Sequence, residues 1–279
     1  MIAVEWYKQT TRPRPWLTLG VMAAVPSLLT LVIGLTRPTI AERIGDWGSV
    51  ITNTSGFTMP LIALSVMLLF LLPLAVSIFA GEAVAGEASW GSLRYLLARP
   101  ISRTRLLASK AAVAAGFSVA AVVVVCAVSL LTGVLAFGWH PLTVLDLQHT
   151  TAFQVSTVTF TPNAALARTA LAAVGVTLSL SSTFAFALLI STMTRSPFGA
   201  MAGGVGLGVV SRALDNIPGL HGLGPWLPVS DSGSTAWTSL FFPSVDVGSI
   251  VQLVVVQAVY TTVFLVVAWR RFARADVLA

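Results

Sequence analysis

The sequence predicts an all-α integral membrane protein with six transmembrane helices and both termini in the cytoplasm. Three observations carry that prediction. Of 279 residues, 56% are hydrophobic and only 9% charged, whereas a soluble domain carries about 25% charged residues. Six apolar runs have the length, about 20 residues each, that crosses a hydrocarbon core of about 30 Å. The sixteen bases divide unevenly between the loops: twelve fall on one side of a six-span layout and four on the other, a positive-inside bias that places both ends in the cytoplasm.

These spans and their loops fill residues 1–279 as a single membrane domain, with no room for a second soluble one. The chain has no Gly-rich loop ending in Lys-Ser or Lys-Thr, so it carries no phosphate cradle. The net charge of +6 follows from bases beside apolar runs and does not point to nucleic acid. Cys126 is the single cysteine and reads as packing. The first apolar run is too long for the core of a cleaved signal and lacks a small-x-small site, so it is read as a retained span.

Along the chain, residues 1–15 set Ile2, Trp6 and Tyr7 among Glu5, Lys8, Arg12 and Arg14. That pattern predicts a short interfacial amphipathic helix, ended by Pro13 and Pro15. The six spans are expected at about 16–36, 58–80, 111–137, 164–192, 197–214 and 249–269. Pro26 and Pro73 fall inside the first two and are expected to kink them. The fifth is short, glycine-rich and carries Arg212. It is retained because, without it, Arg270, Arg271 and Arg274 would lie outside. Three outer segments follow: 37–57, 138–163 and the longest, 215–248. The last holds Trp226, Trp237, Phe241 and Phe242, read as headgroup anchors, with an outer gate as the second reading.

The cytoplasmic loop 81–110 is the most informative segment. Trp90, Leu93, Leu96 and Leu97 make an apolar stripe at helical spacing. Arg99-Pro100 stops that helix, and Ser102 stands where it can cap the next, which carries Arg103, Arg105 and Lys110 into the third span. A short amphipathic helix is thus held between two long membrane helices. It suits a docking element or, equally on physical grounds, a helix lying on headgroups. Glu82 and Glu87 favour a basic protein groove over an anionic leaflet.

Glu87, Gly91-Ser92-Leu93, Leu96-Leu97, Pro100, Ser102-Arg103 and Lys110 together resemble the cytoplasmic signature of permeases of the ABC transporter type-two exporter family. Ala88 stands where that pattern often has a base, and Ser92 where it has Thr. The resemblance implies that the loop is a coupling helix seated in a separate ATPase subunit. Glu87, Gly91, Leu93, Leu96, Pro100 and Arg103 would then lie at or near the contact, with Glu82, Trp90 and Ser92 counted beside them. Trp6 and Tyr7 of the N-terminal helix would brace the same ATPase.

The resemblance further implies two ATPase copies, a second permease chain (identical or not), and Mg-ATP in the partner only. It gives this chain no catalytic residue, cofactor or metal of its own. The expected substrate is amphipathic or lipid-like and moves outward across the cytoplasmic membrane. Charge reversal at Glu87 is expected to uncouple transport and leave insertion intact. The alternatives are a non-transporting scaffold whose loop recruits another protein, or an intramembrane enzyme, for which the spans offer almost no His, Asp or Glu.

Other residues are weighed on their own. Gly199/Gly203 and Gly204/Gly208 form two small-xxx-small pairs that allow close helix packing, within the chain or between two chains. Arg212 and Asp215 are three apart and read as a surface pair. Arg168, near a span end, is expected to snorkel. His140, His149 and His221 lack metal-site spacing. Ser179, Ser181, Ser182 and Thr183 are expected to bond their own helix. Asn53-Thr54-Ser55 matches a glycosylation sequon.

Overall fold

A computed structural model of the chain describes residues 2–44, 55–89, 102–145, 157–217, 219, 221–230, 236–241 and 245–274. It is mostly helical. In chain order the elements are α1 (Ile2–Thr10), α2 (Pro13–Ile44), α3 (Thr58–Leu69), α4 (Leu71–Ser89), α5 (Arg103–Phe137), β1 (Leu142–Leu145), β2 (Thr157–Phe160), α6 (Pro162–Ser179), α7 (Ser181–Met193), α8 (Pro197–Asp215) and α9 (Val247–Arg274). Two 3-10 turns, His221–Trp226 and Ala236–Phe241, lie between α8 and α9. Asn53, Thr54, His149 and Phe242 lie outside the described residues.

Five helical stretches are long and apolar enough to cross a membrane: Pro13–Thr36, Leu71–Ser89, Arg103–Phe137, Pro162–Met193 and Val247–Arg274. The protein is therefore a helical, membrane-embedded one. α8 has the 19 residues of α4 but is rich in glycine and carries Arg212.

α4 is the central helix. Of its apolar window 67% is buried, against 17% for α2 and for α9. It packs on α5, α7 and α8, while α2 leans on α5 and α9 on α7. The core runs through Leu64, Met67, Leu72, Val76, Val122, Val125 and Leu188, all essentially without exposure. Leu28, Leu31 and Leu35 on α2, and Val251, Val255 and Val259 on α9, face outward. A lipid solvent suits such side chains as well as a core does.

Several elements differ from the sequence expectation, each for a physical reason. The segment 58–80 is two helices with a break at Phe70, and the second runs on to Ser89. Pro73 removes the donor that would close on the carbonyl four residues back, that of Leu69. Arg212 of α8 donates to that carbonyl, and to Leu68 O at 3.1 Å. Arg212 thus fills the gap a proline leaves in a neighbouring helix, a role that a surface pairing with Asp215 did not anticipate. Helix α2, in contrast, continues through Pro26.

The segment 164–192 is interrupted at Leu180, giving α6 and α7. Segment 138–163 contains the antiparallel hairpin β1–β2, with Leu142 opposite Phe160 and Leu145 opposite Thr157. Ser102 precedes α5 with extended backbone, but its hydroxyl makes no capping bond. At the start of α9, Asp246 accepts from the Ser249 hydroxyl and, at 3.1 Å, from Ser249 N–H. Those bonds hold its carboxyl below the usual carboxylate range, so its capping contribution is present at neutral pH and fades as pH falls through that lowered value.

Candidate functional site

A cluster of charge sits where α1, the end of α4 and the start of α5 meet. Glu87 lies two residues before the end of α4, where the helix dipole disfavours an anion. It is 4% exposed, a position that requires cationic partners. Lys8 of α1 donates to it, and Lys110 of α5 lies 2.6 Å from its second oxygen. Lys110, also 4% exposed, reaches Glu5 of α1 at 3.3 Å. Glu5, Lys8, Glu87 and Lys110 form a neutral quartet of two acids and two bases. Beside it, Arg14 of α2 pairs with Glu82 of α4 at 2.9 Å.

The quartet is framed by aromatic packing. Trp6 of α1 stacks on Phe117 of α5 with ring centroids 4.9 Å apart. It lies over Gly116, where an added Cβ would come within 3.1 Å of the indole. Phe79 of α4 meets Phe117 at 5.6 Å. Helix α1 is therefore fixed on the bundle by one ring and two charges. Tyr7, by contrast, is 71% exposed on its outer face, with Ile2 and Val4.

Ser191 of α7 pins α4 one turn before Glu87. Its hydroxyl donates to Gly81 O at 2.6 Å and accepts from Val84 N–H at 3.2 Å and Ala85 N–H at 2.9 Å. One buried hydroxyl thus serves three backbone groups of another helix. Ser191→Ala is expected to lower stability by about 1–3 kcal/mol, the cost of leaving buried groups unpaired, and thermal melting of the purified protein checks this.

The sequence-selected residues divide into three groups. Glu82, Glu87 and Trp6 are engaged by other helices of the same chain, while Tyr7 faces out. Arg103 donates to Ala273 O at 3.4 Å, at the end of α9. Trp90, Gly91, Ser92, Leu93, Leu96 and Pro100 lie outside the described residues. The placement of Glu87 also alters what charge reversal there would do. A third ammonium between Lys8 and Lys110 is expected to destabilise the packing of α1, α4 and α5 directly, beside any effect on coupling.

Two glycines of α8, Gly203 and Gly204, pack closely within the chain. A Cβ at Gly204 would collide with Ser77 of α4 and come within 2.9 Å of Ala187 of α7. One at Gly203 would lie 3.1 Å from Ile190 of α7. Gly208 faces Val229 at 3.8 Å, and Gly199 donates its N–H to Ser196, which caps the helix.

A second polar cluster, deeper in the bundle, was not legible in the sequence. Gln257 of α9 is 5% exposed. Its amide oxygen accepts from Ser182 N–H at 3.1 Å, and its nitrogen donates to Pro228 O at 2.8 Å. Ser182 also donates to Pro228 O at 3.0 Å, and Thr261 to the Ser181 hydroxyl at 3.0 Å. Ser179 bonds its own helix as expected, but the Ser182 hydroxyl donates outside its helix, to Pro228 O.

Residues 45–278 match the family described as "Protein of unknown function (DUF2705)". The match takes in Glu87, Lys110 and Gln257 and leaves out α1. No curated protein matches the chain.

Proposed function

The chain belongs to the DUF2705 family, and from that premise we propose that it is the membrane-spanning permease subunit of an ATP-driven exporter of the ABC type-two kind. In this reading a separate ATPase docks on residues 90–101, Mg-ATP is hydrolysed in that partner, and this chain does no covalent chemistry. Two permease chains and two ATPase copies form the assembly. The cargo is an amphipathic or lipid-like molecule leaving the cytoplasm.

One observation carries the reading. The helices on either side of residues 90–101 are tied together at their base: Glu87 at the end of α4 and Lys110 near the start of α5 stand 2.6 Å apart, and both are held by α1. A loop on free stems would absorb a push from a partner. A loop on clamped stems passes it to α4, the most buried helix of the bundle. Ser191 extends the same connection to α7.

The topology supports the proposal too. With α8 counted beside the five long apolar stretches there are six spans. Both termini then lie with Lys8, Arg14, Arg105, Arg195, Arg270 and Arg271 on the cytoplasmic side of the cytoplasmic membrane. The exposed Ile2, Val4 and Tyr7 of α1 extend the docking face beside the loop.

Affinity purification in mild detergent tests the reading. An ATPase subunit is expected in equimolar amount, with Mg-ATP hydrolysis. Replacing residues 91–99 by Gly-Ser repeats is expected to reduce its recovery by at least about tenfold, the loss of roughly 1.4 kcal/mol of binding. The intact chain purifying alone, without hydrolysis, would favour a scaffold that recruits some other protein.

A further inference from the structure

We propose that the slot between α5 and α6 is a binding site for one acyl chain of a bilayer phospholipid, with the tip of the chain reaching α4. The proposal goes beyond the exporter reading. It needs no ATPase and no transport, so its failure would leave that reading standing.

The slot is built from side chains at helical spacing. Val119, Val123 and Ala127 recur every four residues on α5, and Thr169, Ala173 and Thr177 do the same on α6. Residues four apart share a helix face, so each trio forms one wall. The space between the walls measures about 470 Å³. On α6 it runs from Thr169 to Leu178, nine residue steps or about 13 Å along the axis. That is close to one leaflet's half of a hydrocarbon core of about 30 Å. A narrower arm of about 120 Å³ shares Val119 and Thr177 with the slot and reaches Val76 of α4. Val76 is fully buried, so the arm leads inward to the central helix. Val123 and Val174, at 53% and 57% exposure, stand at the open side. A chain can therefore enter sideways from the bilayer.

The chemistry of the walls selects hydrocarbon. The hydroxyls of Ser118, Thr169 and Thr177 donate to carbonyls of their own helices, Ala114 O at 2.9 Å, Ala165 O at 2.9 Å and Ala173 O at 2.8 Å. Ser181, at the arm, donates to Leu178 O at 2.7 Å and accepts from Thr261 at 3.0 Å. A water needs about two to four polar partners to stay in such a space, and these groups are already engaged. Walls without partner atoms forfeit dispersion contact. In lipid, packing of this kind drives association, because burial from water no longer does.

Size then selects the occupant. An apolar cavity of about 150 Å³ holds a benzene ring, so on that scale the slot takes on the order of eighteen carbons and the arm about five more. One acyl chain has that size. A helix at least about 10 Å across fills roughly 1,000 Å³ over the same 13 Å. Its backbone would stay outside, and separate side chains would enter where the slot is continuous.

Photolabelling of the full-length chain in nanodiscs tests the site. The probe is a phosphatidylcholine with a diazirine midway along one acyl chain, and adducts are mapped by peptide mass spectrometry. Adducts on 119–130 and 169–178 are expected to exceed those on the outward faces of α2 and α9, around Leu31 and Val255, by about tenfold, the ratio that about 1.4 kcal/mol of extra contact gives. Ala173→Phe fills the slot from α6 and should bring its adducts down to the level of those faces, while Leu31→Phe should change nothing there. Should Ala173→Phe fail to give monodisperse protein, Ala127→Phe fills the slot from the more exposed wall. Equal labelling of all outward faces would overturn the proposal, as would slot adducts that persist in the filled variants. A dimer fraction that falls in Ala173→Phe while the adducts stay unchanged would overturn it in favour of a second copy of the chain.

Discussion

Lys110→Met is expected to lower stability by about 3–5 kcal/mol, because it takes from buried Glu87 the ammonium 2.6 Å away and from Glu5 the one 3.3 Å away. The ammonium is the hinge of the quartet. It touches both acids of the quartet, and it is itself almost fully buried. Thermal melting in detergent should show a large downward shift or loss of the folded peak. Lys8→Met should cost less, since Lys8 is more than a third exposed at its side chain and exposed pairs contribute about 0–1 kcal/mol. Adding Glu87→Met to Lys110→Met should recover much of the loss. A buried ion pair replaced by apolar residues of similar size is often neutral. If the single and double replacements melt together, the quartet contributes little and the clamped-stem argument falls with it.

The same quartet shows how far the sequence could be read. The six apolar runs, the amphipathic first helix and the basic entry to α5 follow from periodicity and composition, and each has a helix in the structure. Glu87 and Lys110 were assigned to an aqueous loop because the apolar window before them ends at 80. The helix does not stop there: nothing in Gly81–Ser89 breaks it, and alanine is the strongest helix former. Once α4 continues to Ser89 and α5 begins at Arg103, the acid and the base lie inside long helices and must find each other. Their type and position held the signal, and the boundary concealed it.

Other features had no local signal. Arg212 looked like half of a surface pair because Asp215 follows it at helical spacing. It also donates to the carbonyls of Leu68 and Leu69, more than 140 residues away, the second of which is open because Pro73 has no N–H to reach it. Gln257 stands alone in an apolar run, so only the returning segment at Pro228 reveals its use. Trp226 and Trp237 were read alike as headgroup anchors. One is exposed and the other is among the most buried side chains of the molecule. Composition cannot tell an aromatic at the membrane edge from one folded back into the bundle.

The second large effect is expected at α8. Gly204→Leu should destabilise the protein by about 1–3 kcal/mol or more, since the added atoms meet the Ser77 side chain and Ala187 in a close three-helix contact among α4, α7 and α8. Neither wall can retreat easily. Ser77 and Ala187 are fully buried, and α4 is pinned to α7 by Ser191. Gly206, two residues on, has open space where its Cβ would stand, so Gly206→Leu is expected to melt like the parent chain. The pair separates two uses of a glycine-rich helix. If α8 packs within the chain, Gly204→Leu lowers the melting temperature and Gly206→Leu leaves it unchanged. If the glycines serve instead to bring two chains together, the order reverses in a different readout: Gly206→Leu would reduce the dimer fraction in nanodiscs or by cross-linking, while Gly204→Leu would fold normally. The close approach of Gly204 to α4 and α7 favours the first outcome, and with it a bundle in which α8 is a structural wall for α4 rather than a detachable face.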